Sequence, residues 1–373
     1  MGEPHSYTQS IAWANQKMQE FKGPEQEHEV LKDIKKGGRE RPWRWKKVGA
    51  MRLRDLYMRL GNEAKAARLN QCANILGFKG TTLHQAMFCK VRLCPVCAMR
   101  RSEKVFHQVS RIMNEVEKDK EYSRYKFIFL TLTIKNVPGG ELSAALDKIF
   151  YGFHMLAHYK DFKDISKGWF RALEVTHNWE TDEYHPHLHL IIAVDEEYIT
   201  QKKDFIHHTD WKKLWQKAMD IDYDPFVHVR VVRPNWLKKV KDKESIRQSS
   251  AVAEVSKYSV KDDDFLSIWK IDENKRKKYL KPKNEAEKEA FTQRLMSAVS
   301  VLDAALHKRR LAAFGGIFKK IHKALDLGDP VDGDLLNTDA EEVREDLEAI
   351  MRYYRWNIGV SNIGNFVRFK FGK

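Results

Sequence analysis

No run of apolar residues in this 373-residue chain approaches the roughly 20 that a membrane span requires. The amino terminus lacks the basic-then-apolar pattern of a secretory signal. Cysteine is scarce: four residues in the whole chain cannot make a disulfide scaffold. Acidic charge is in deficit, with 52 Asp and Glu against 67 Lys and Arg, for a net charge of +15. These shortages lead us to expect a soluble, intracellular, basic protein, not bound to a membrane, whose partner is a polyanion; nucleic acid is the commonest. What is present supports a folded chain. Hydrophobic residues make up 42% and aromatics 11%, which excludes wholesale disorder, and the length suits two or three domains with a substantial core.

Residues 1–30 read as polar helix. Across 32–54 there are ten Lys or Arg against only Asp33 and Glu40, with indoles interleaved. Cations set among rings suit stacking on bases beside phosphate contacts. Arg41, Trp43, Arg44, Trp45, Lys46 and Lys47 are therefore expected to touch DNA. Helical periodicity is read over 54–76. Cys72, Cys89, Cys94 and Cys97 follow the spacing Cys-x16-Cys-x4-Cys-x2-Cys, and the last two form a tight knuckle around Pro95. In an intracellular chain this predicts a four-thiolate structural zinc site, with His84 able to replace Cys72 or Cys89. No βαβ pattern surrounds the pair to favour a redox couple. Arg100 and Arg101 flank the knuckle and are expected to present a basic surface to DNA.

The densest chemistry lies in 184–194 (YHPHLHLIIAV). His185, His187 and His189 alternate with apolar residues, so a strand puts the three imidazoles on one face. The aromatic and β-branched stretch at 125–134 predicts a central strand with Thr131 and Thr133 on its polar face. An amphipathic core helix is expected from Leu142 to Leu156. Residues 169–176 predict the strand before the histidines, joined to them by a turn at about 178–183. If 177 pairs with 184, the constant sum of an antiparallel ladder puts Glu174 opposite His187. A carboxylate facing two imidazoles makes a divalent-cation site from Glu174, His187 and His189; the competing reading is an ion pair of Glu174 with Arg171 or Lys167. His177 and His185 would line the mouth. Residues 226–232 read as a further alternating strand. Glu254, Tyr258 and Lys261, at i, i+4 and i+7, would share one face of a helix. A phenol, a carboxylate and an ammonium near a metal site can attack a phosphodiester.

These stretches resemble the rolling-circle plasmid replication initiators of the single-tyrosine class, within the His-hydrophobic-His (HUH) endonuclease superfamily. The similar segments are 129–137 (FLTLTIKNV), 171–176 (RALEVT), 185–190 (HPHLHL), 254–261 (EVSKYSVK), the cysteine block 88–97 (FCKVRLCPVC) and 308–319 (KRRLAAFGGIFK), and the resemblance as a whole covers about 32–325 in the family's order. The resemblance implies that His187, His189 and Glu174 hold Mg2+ or Mn2+. It implies that Tyr258 attacks the origin strand to give a 5′-phosphotyrosine and a free 3′-hydroxyl. Glu254 would then activate water at termination, with Lys261 favouring loss of the phenol proton. The implied substrate is plasmid double-strand origin DNA, cleaved as a single strand or hairpin, in the bacterial cytoplasm with host helicase and polymerase as partners and a homodimer as one arrangement.

The fold expected is α+β: a central antiparallel sheet with flanking helices, plus a mostly helical amino-terminal region carrying the zinc site. Its expected parts are 1–70 (basic, helical), 71–120 (zinc segment), 121–325 (endonuclease domain) and 326–373 (acidic helix, then basic tail). A second basic stretch at 270–283 is another expected DNA contact, Gly315–Gly316 a turn or bulge near the sheet, and Thr338 with Glu341 a capping box. Two alternatives compete. A relaxase or single-strand transposase shares the chemistry, but often places the tyrosine before the histidines or pairs two tyrosines. A zinc-containing DNA-binding regulator would use the histidine strand only structurally.

Overall fold

A computed structural model describes residues 29–34, 38, 40–201, 205–234, 245–257, 259–267, 269–271, 277–279, 281–336, 338, 351–359 and 364–369. The elements run α1 (Trp43–Arg59), α2 (Glu63–Gln71), β1 (Ile75–Lys79), β2 (Thr82–Ala86), α3 (Pro95–Lys118), β3 (Tyr125–Thr133) and β4 (Val137–Pro138). Then come α4 (Leu142–His158), α5 (Lys160–Ile165), β5 (Gly168–Asn178), β6 (Glu183–Asp195), α6 (Glu196–Thr200), α7 (His208–Met219), β7 (Val227–Arg233) and β8 (Ser245–Arg247). The last are α8 (Gln248–Val255), α9 (Asp263–Leu266), β9 (Trp269–Ile271), β10 (Lys277–Tyr279), α10 (Glu285–Leu306), β11 (Ala312–Gly315), α11 (Gly316–Ala324), β12 (Met351–Asn357) and β13 (Asn365–Phe369). Among the described residues no helix is long and apolar enough to cross a membrane.

The chain is α+β, as expected, but it divides into two compact units rather than four consecutive parts. One comprises 1–48, 73–87 and 345–373, the other 49–72 and 88–344. The larger unit is built on a mixed sheet in the order β11-β5-β6-β3-β7-β8, with β4 pairing β6 and only β7–β8 parallel. Antiparallel register is set by the long β5–β6 hairpin, closed by a turn in which Asn178 Oδ1 accepts from the Glu180 N–H at 2.9 Å. Helices cover both faces. Phe127, Phe129, Phe170, Ile191 and Ala193 point into a core filled by α3, α8 and α11. On the opposite face Phe153 meets Trp169 edge-on at 4.9 Å, and Trp215 Nε1 donates to the Thr133 carbonyl at 2.8 Å.

At the sheet edge, Gly315 and Gly316 end β11 and open α11. Gly316 has φ +56°, and a Cβ there would meet the Lys167 carbonyl oxygen at 2.3 Å. Only glycine lets the backbone pass that close.

In the smaller unit, β1 and β2 join β12 and β13 in a four-stranded antiparallel sheet ordered β13-β12-β1-β2. Two expectations change here. The helix read over 54–76 breaks at Gly61 (φ +71°) and gives way to strand at Ile75. The basic carboxyl-terminal segment is not a tail, because β12 pairs directly with β1. Residues 1–28 of the amino-terminal helix expected over 1–30 lie outside the described residues, as do Glu341, with the rest of 339–350, and residues 272–276 and 280 of the basic stretch expected over 270–283.

Candidate active site and metal centres

The predicted register holds: Glu174 pairs with His187, and His177 with Tyr184. Thr133 pairs with His187 and Thr131 with His189 on the neighbouring strand. Glu174, His187, His189, Thr131 and Thr133 therefore share one sheet face. Glu174 Oε2 lies 3.1 Å from His187 Nε2 and 3.0 Å from His189 Nε2. The alternative ion pairs are not made. Arg171 is on the other face, stacked 4.6 Å from the Phe150 ring, and Lys167 pairs with Asp195 at 2.7 Å.

The spacing of these ligand atoms fits a cation site. His187 Nδ1 is 3.2 Å from the His185 carbonyl, an oxygen that can only accept, so Nδ1 carries a proton. His187 Nε2 faces a carboxylate oxygen, so a proton or a metal ion lies between the two atoms. Ligand atoms on an octahedral ion with about 2.1 Å bonds lie about 3.0 Å apart, matching the two separations seen. Thr131 Oγ1 meets His189 Nδ1 at 3.1 Å and orients the second ring the same way. Burial pushes Glu174 toward protonation, but hydrogen bonds from His187 and His189 and the charges of His187 and Lys261 hold its carboxyl well below the usual range. Burial pushes His189 down, favouring the neutral ring that binds metal.

Two of the three expected catalytic groups converge on this triad. Glu254 Oε1 is 3.9 Å from His189 Nε2 and also pairs with Lys257. Lys261 Nζ is 3.2 Å from Glu174 Oε1. They do not share a helix, because α8 ends at Val255. The chain after it is drawn to β5, where the Val175 N–H donates to the Ser259 carbonyl at 2.6 Å. Tyr258 itself lies outside the described residues. His185 is half-buried with its ring 5.4 Å from that of His187, consistent with the mouth. His177 is not there. Its side chain is fully buried on the opposite face, stacked 4.3 Å from Tyr184 and bonded to Asp182 Oδ1 at 2.8 Å.

The four cysteines also converge, without His84, which is exposed. Cys72 Sγ is 3.7 Å from both Cys94 and Cys97, and Cys89 Sγ is 3.6 Å from Cys97. A tetrahedron with about 2.3 Å metal–sulfur bonds has edges of about 3.8 Å, so the thiols stand at zinc spacing and far beyond disulfide length. Cys94 caps α3, where burial pushes its thiol well above the ordinary value, and Cys97 sits in the first turn, where the helix dipole favours a thiolate. Burial pushes Cys97 up, but its thiol neighbours and the Arg101 charge bring it well below the ordinary value.

The expected DNA contacts divide. Arg100 and Arg101 are 1% and 3% exposed, and spend their guanidiniums on the carbonyls of Leu335, Leu336, Val331, Val91 and Lys90. With Lys104 on Asp334 O and Gln108 on Gly328 O, they fasten the 328–336 segment as a strap along α3. They do not form a DNA surface, because unsatisfied carbonyls reach them first. In the smaller unit Trp43 is buried with Nε1 2.6 Å from Asp33 Oδ2, Arg41 pairs with Asp33, and buried Lys47 donates to Asn74 Oδ1. Trp45, 63% exposed, lies under Arg44 at 5.4 Å and remains open, with Lys46 partly so. The strap and the Ser259 anchor escaped sequence reasoning, since both work through backbone carbonyls.

The family described as replication protein (Rep_1) matches residues 80–362. A protein rep of Bacillus amyloliquefaciens is 36% identical over 358 residues, covering 91% of this chain and 98% of that protein. One from a Bacillus species is 38% identical over 316 residues (81% and 93%), and one from Streptococcus pneumoniae 33% over 352 (91% and 98%). No solved structure matches significantly.

Proposed function

This chain belongs to the replication-protein family and is a plasmid rolling-circle replication initiator; from that premise we propose that it nicks the plasmid origin strand at the Glu174–His187–His189 site, using Tyr258 as nucleophile. The observation that carries the reading is the convergence of Glu254 and Lys261 on that triad. A divalent ion such as Mg2+ or Mn2+, held by Glu174, His187 and His189, supplies charge stabilisation at the scissile phosphate. Lys261, paired to Glu174 and half-exposed, favours the phenolate form of Tyr258, whose unperturbed pKa is near 10. The phenolate oxygen bonds to phosphorus, the bond from phosphorus to the 3′ oxygen breaks, and that oxygen leaves with a proton as a primer end. In the closing step Glu254 takes a proton from water, which hydrolyses the tyrosyl ester.

The four thiolates hold structural Zn2+. Exposed Trp45 of the smaller unit, with the half-buried cations Arg44 and Lys46 beside it, contacts origin DNA, which enters the site unpaired. The protein works in the bacterial cytoplasm and hands its primer end to host helicase and polymerase. Tyr258 following the histidines sets this reading above relaxase or transposase. Mass spectrometry of the adduct with a single-stranded origin oligonucleotide tests it. We expect a tyrosyl phosphate at Tyr258, absent in Tyr258→Phe. An adduct that persists in Tyr258→Phe overturns the nucleophile assignment. Glu254→Ala should nick but release poorly; equal loss of both steps contradicts its role as base.

A further inference from the structure

Strand β7 carries a feature that the catalytic reading does not use. In the ladder, Leu132 pairs with Val227, Thr131 with His228 and Phe129 with Arg230. Thr133 continues that register, donating to the Phe226 carbonyl from both its N–H and its hydroxyl at 3.2 and 2.8 Å. Phe226, His228 and Arg230 therefore lie on the face that holds the cation triad, Phe226 in the row of His187 and His228 in the row of His189. Two strand spacings put them about 10 Å from the imidazoles.

Phe226 is 63% exposed, and its ring lies 6.3 Å from that of His228. A lone surface phenylalanine is unremarkable. This one shares its strand face with a cation that has no acid: Arg230 stacks 5.3 Å over Phe129, its Nε is buried without a hydrogen-bond partner, and no carboxylate among the described residues pairs with it. Phe129 in turn stacks on His189 at 5.6 Å, so the guanidinium is held within one ring of the metal site. An exposed ring and a half-buried guanidinium with no carboxylate among the described residues, on one sheet face, match unpaired nucleic acid, whose bases offer π faces and whose backbone offers phosphates. A protein partner would need an acid for Arg230 and a pocket for Phe226.

We infer that β7 seats the single-stranded nucleotides beside the scissile phosphate, with Phe226 stacking on an unpaired base and Arg230 taking a backbone phosphate. This rests on the reading that the chain cleaves DNA at the triad.

The test is fluorescence anisotropy of the full-length chain with a single-stranded origin oligonucleotide, without added divalent ion. Phe226→Ala is expected to weaken binding roughly 10- to 100-fold, and Phe226→Trp to restore it. Arg230→Gln should weaken binding and lower the salt slope by about one. An abasic nucleotide next to the cleavage point should cost the wild type affinity but leave Phe226→Ala unchanged. Equal binding by wild type and Phe226→Ala, with cleavage intact, overturns the inference while the catalytic reading stands. Absence of cleavage by the wild type, with Phe226-dependent binding retained, removes the catalytic reading and leaves β7 as a strand-binding face. If Phe226→Ala lowers the sedimentation mass and spares DNA affinity, the strip is a self-association surface and the inference fails.

Discussion

Proton placement decides what the individual residues of the site can do. The carbonyl of His185 and the hydroxyl of Thr131 each fix a neighbouring imidazole so that Nε2 faces Glu174. Replacing Thr131 with valine keeps the shape of the β3 face and removes only the oxygen. Divalent-ion affinity is then expected to fall about 10- to 100-fold, read by calorimetry or by the ion concentration that gives half-maximal nicking. An unchanged ion dependence would show that the hydroxyl is idle. The ligand residues themselves were legible, because alternation in a strand is a fixed geometric rule and three histidines at that period are hard to hide. Their supporting partners were only half so. Thr131 and Thr133 could be placed on the right face, but nothing in a one-dimensional string says that the carbonyl of His185 turns toward His187.

Elements were readable where their hydrogen bonds are local. The β5–β6 register followed from a short turn, which leaves an antiparallel pair almost no freedom. Segments whose partners are distant were misread. Ile75 and Leu76 fell inside the helical reading because their partner strand β12 begins 276 residues after Ile75, at Met351. Helix α8 looked longer than it is because the Ser259–Val175 bond that draws the chain to β5 leaves no trace in periodicity. The strap over 328–336 is the same kind of element, held by buried side chains of α3 rather than by its own pattern. Val331 and Pro330 share a cavity with Val255, Ser256, Lys257 and Ser259, so the strap backs the segment that carries the proposed nucleophile. Arg101→Ala strands three carbonyls, those of Val331 and Val91 in buried bonds, and should cost about 2–4 kcal/mol in denaturant unfolding. A full-strength unfolding midpoint together with weakened DNA binding would return Arg101 to the surface role first expected of it.

For the whole molecule, two long-range devices matter: the cysteine group and the distribution of positive charge. Cys72, Cys89 and the α3 knuckle join segments 25 residues apart, and four buried thiols without an ion make a poor core. Cys97→Ser is therefore expected to lose about one equivalent of zinc by elemental analysis and to melt at lower temperature, while a variant that keeps its melting point would make the ion dispensable. The charge of +15 is less uniform in use than in sequence. Arg100 and Arg101 are consumed inside the larger unit, and Arg41 and Lys47 inside the smaller one. Neighbouring tryptophans make the cleanest separation of the two uses. Trp43 is buried with its N–H on Asp33, whereas Trp45 is open beneath Arg44. Trp45→Ala should leave the unfolding midpoint in place and weaken origin binding about tenfold, the loss of one stacked base. Trp43→Ala should shift the midpoint by the several kcal/mol that a buried aromatic costs, with its binding defect scaling with the unfolded fraction. Binding and unfolding measured on both variants therefore separate contact from scaffold. The opposite pattern, with Trp45 setting stability and Trp43 setting affinity, would mean that the open face of the smaller unit is not where DNA lies.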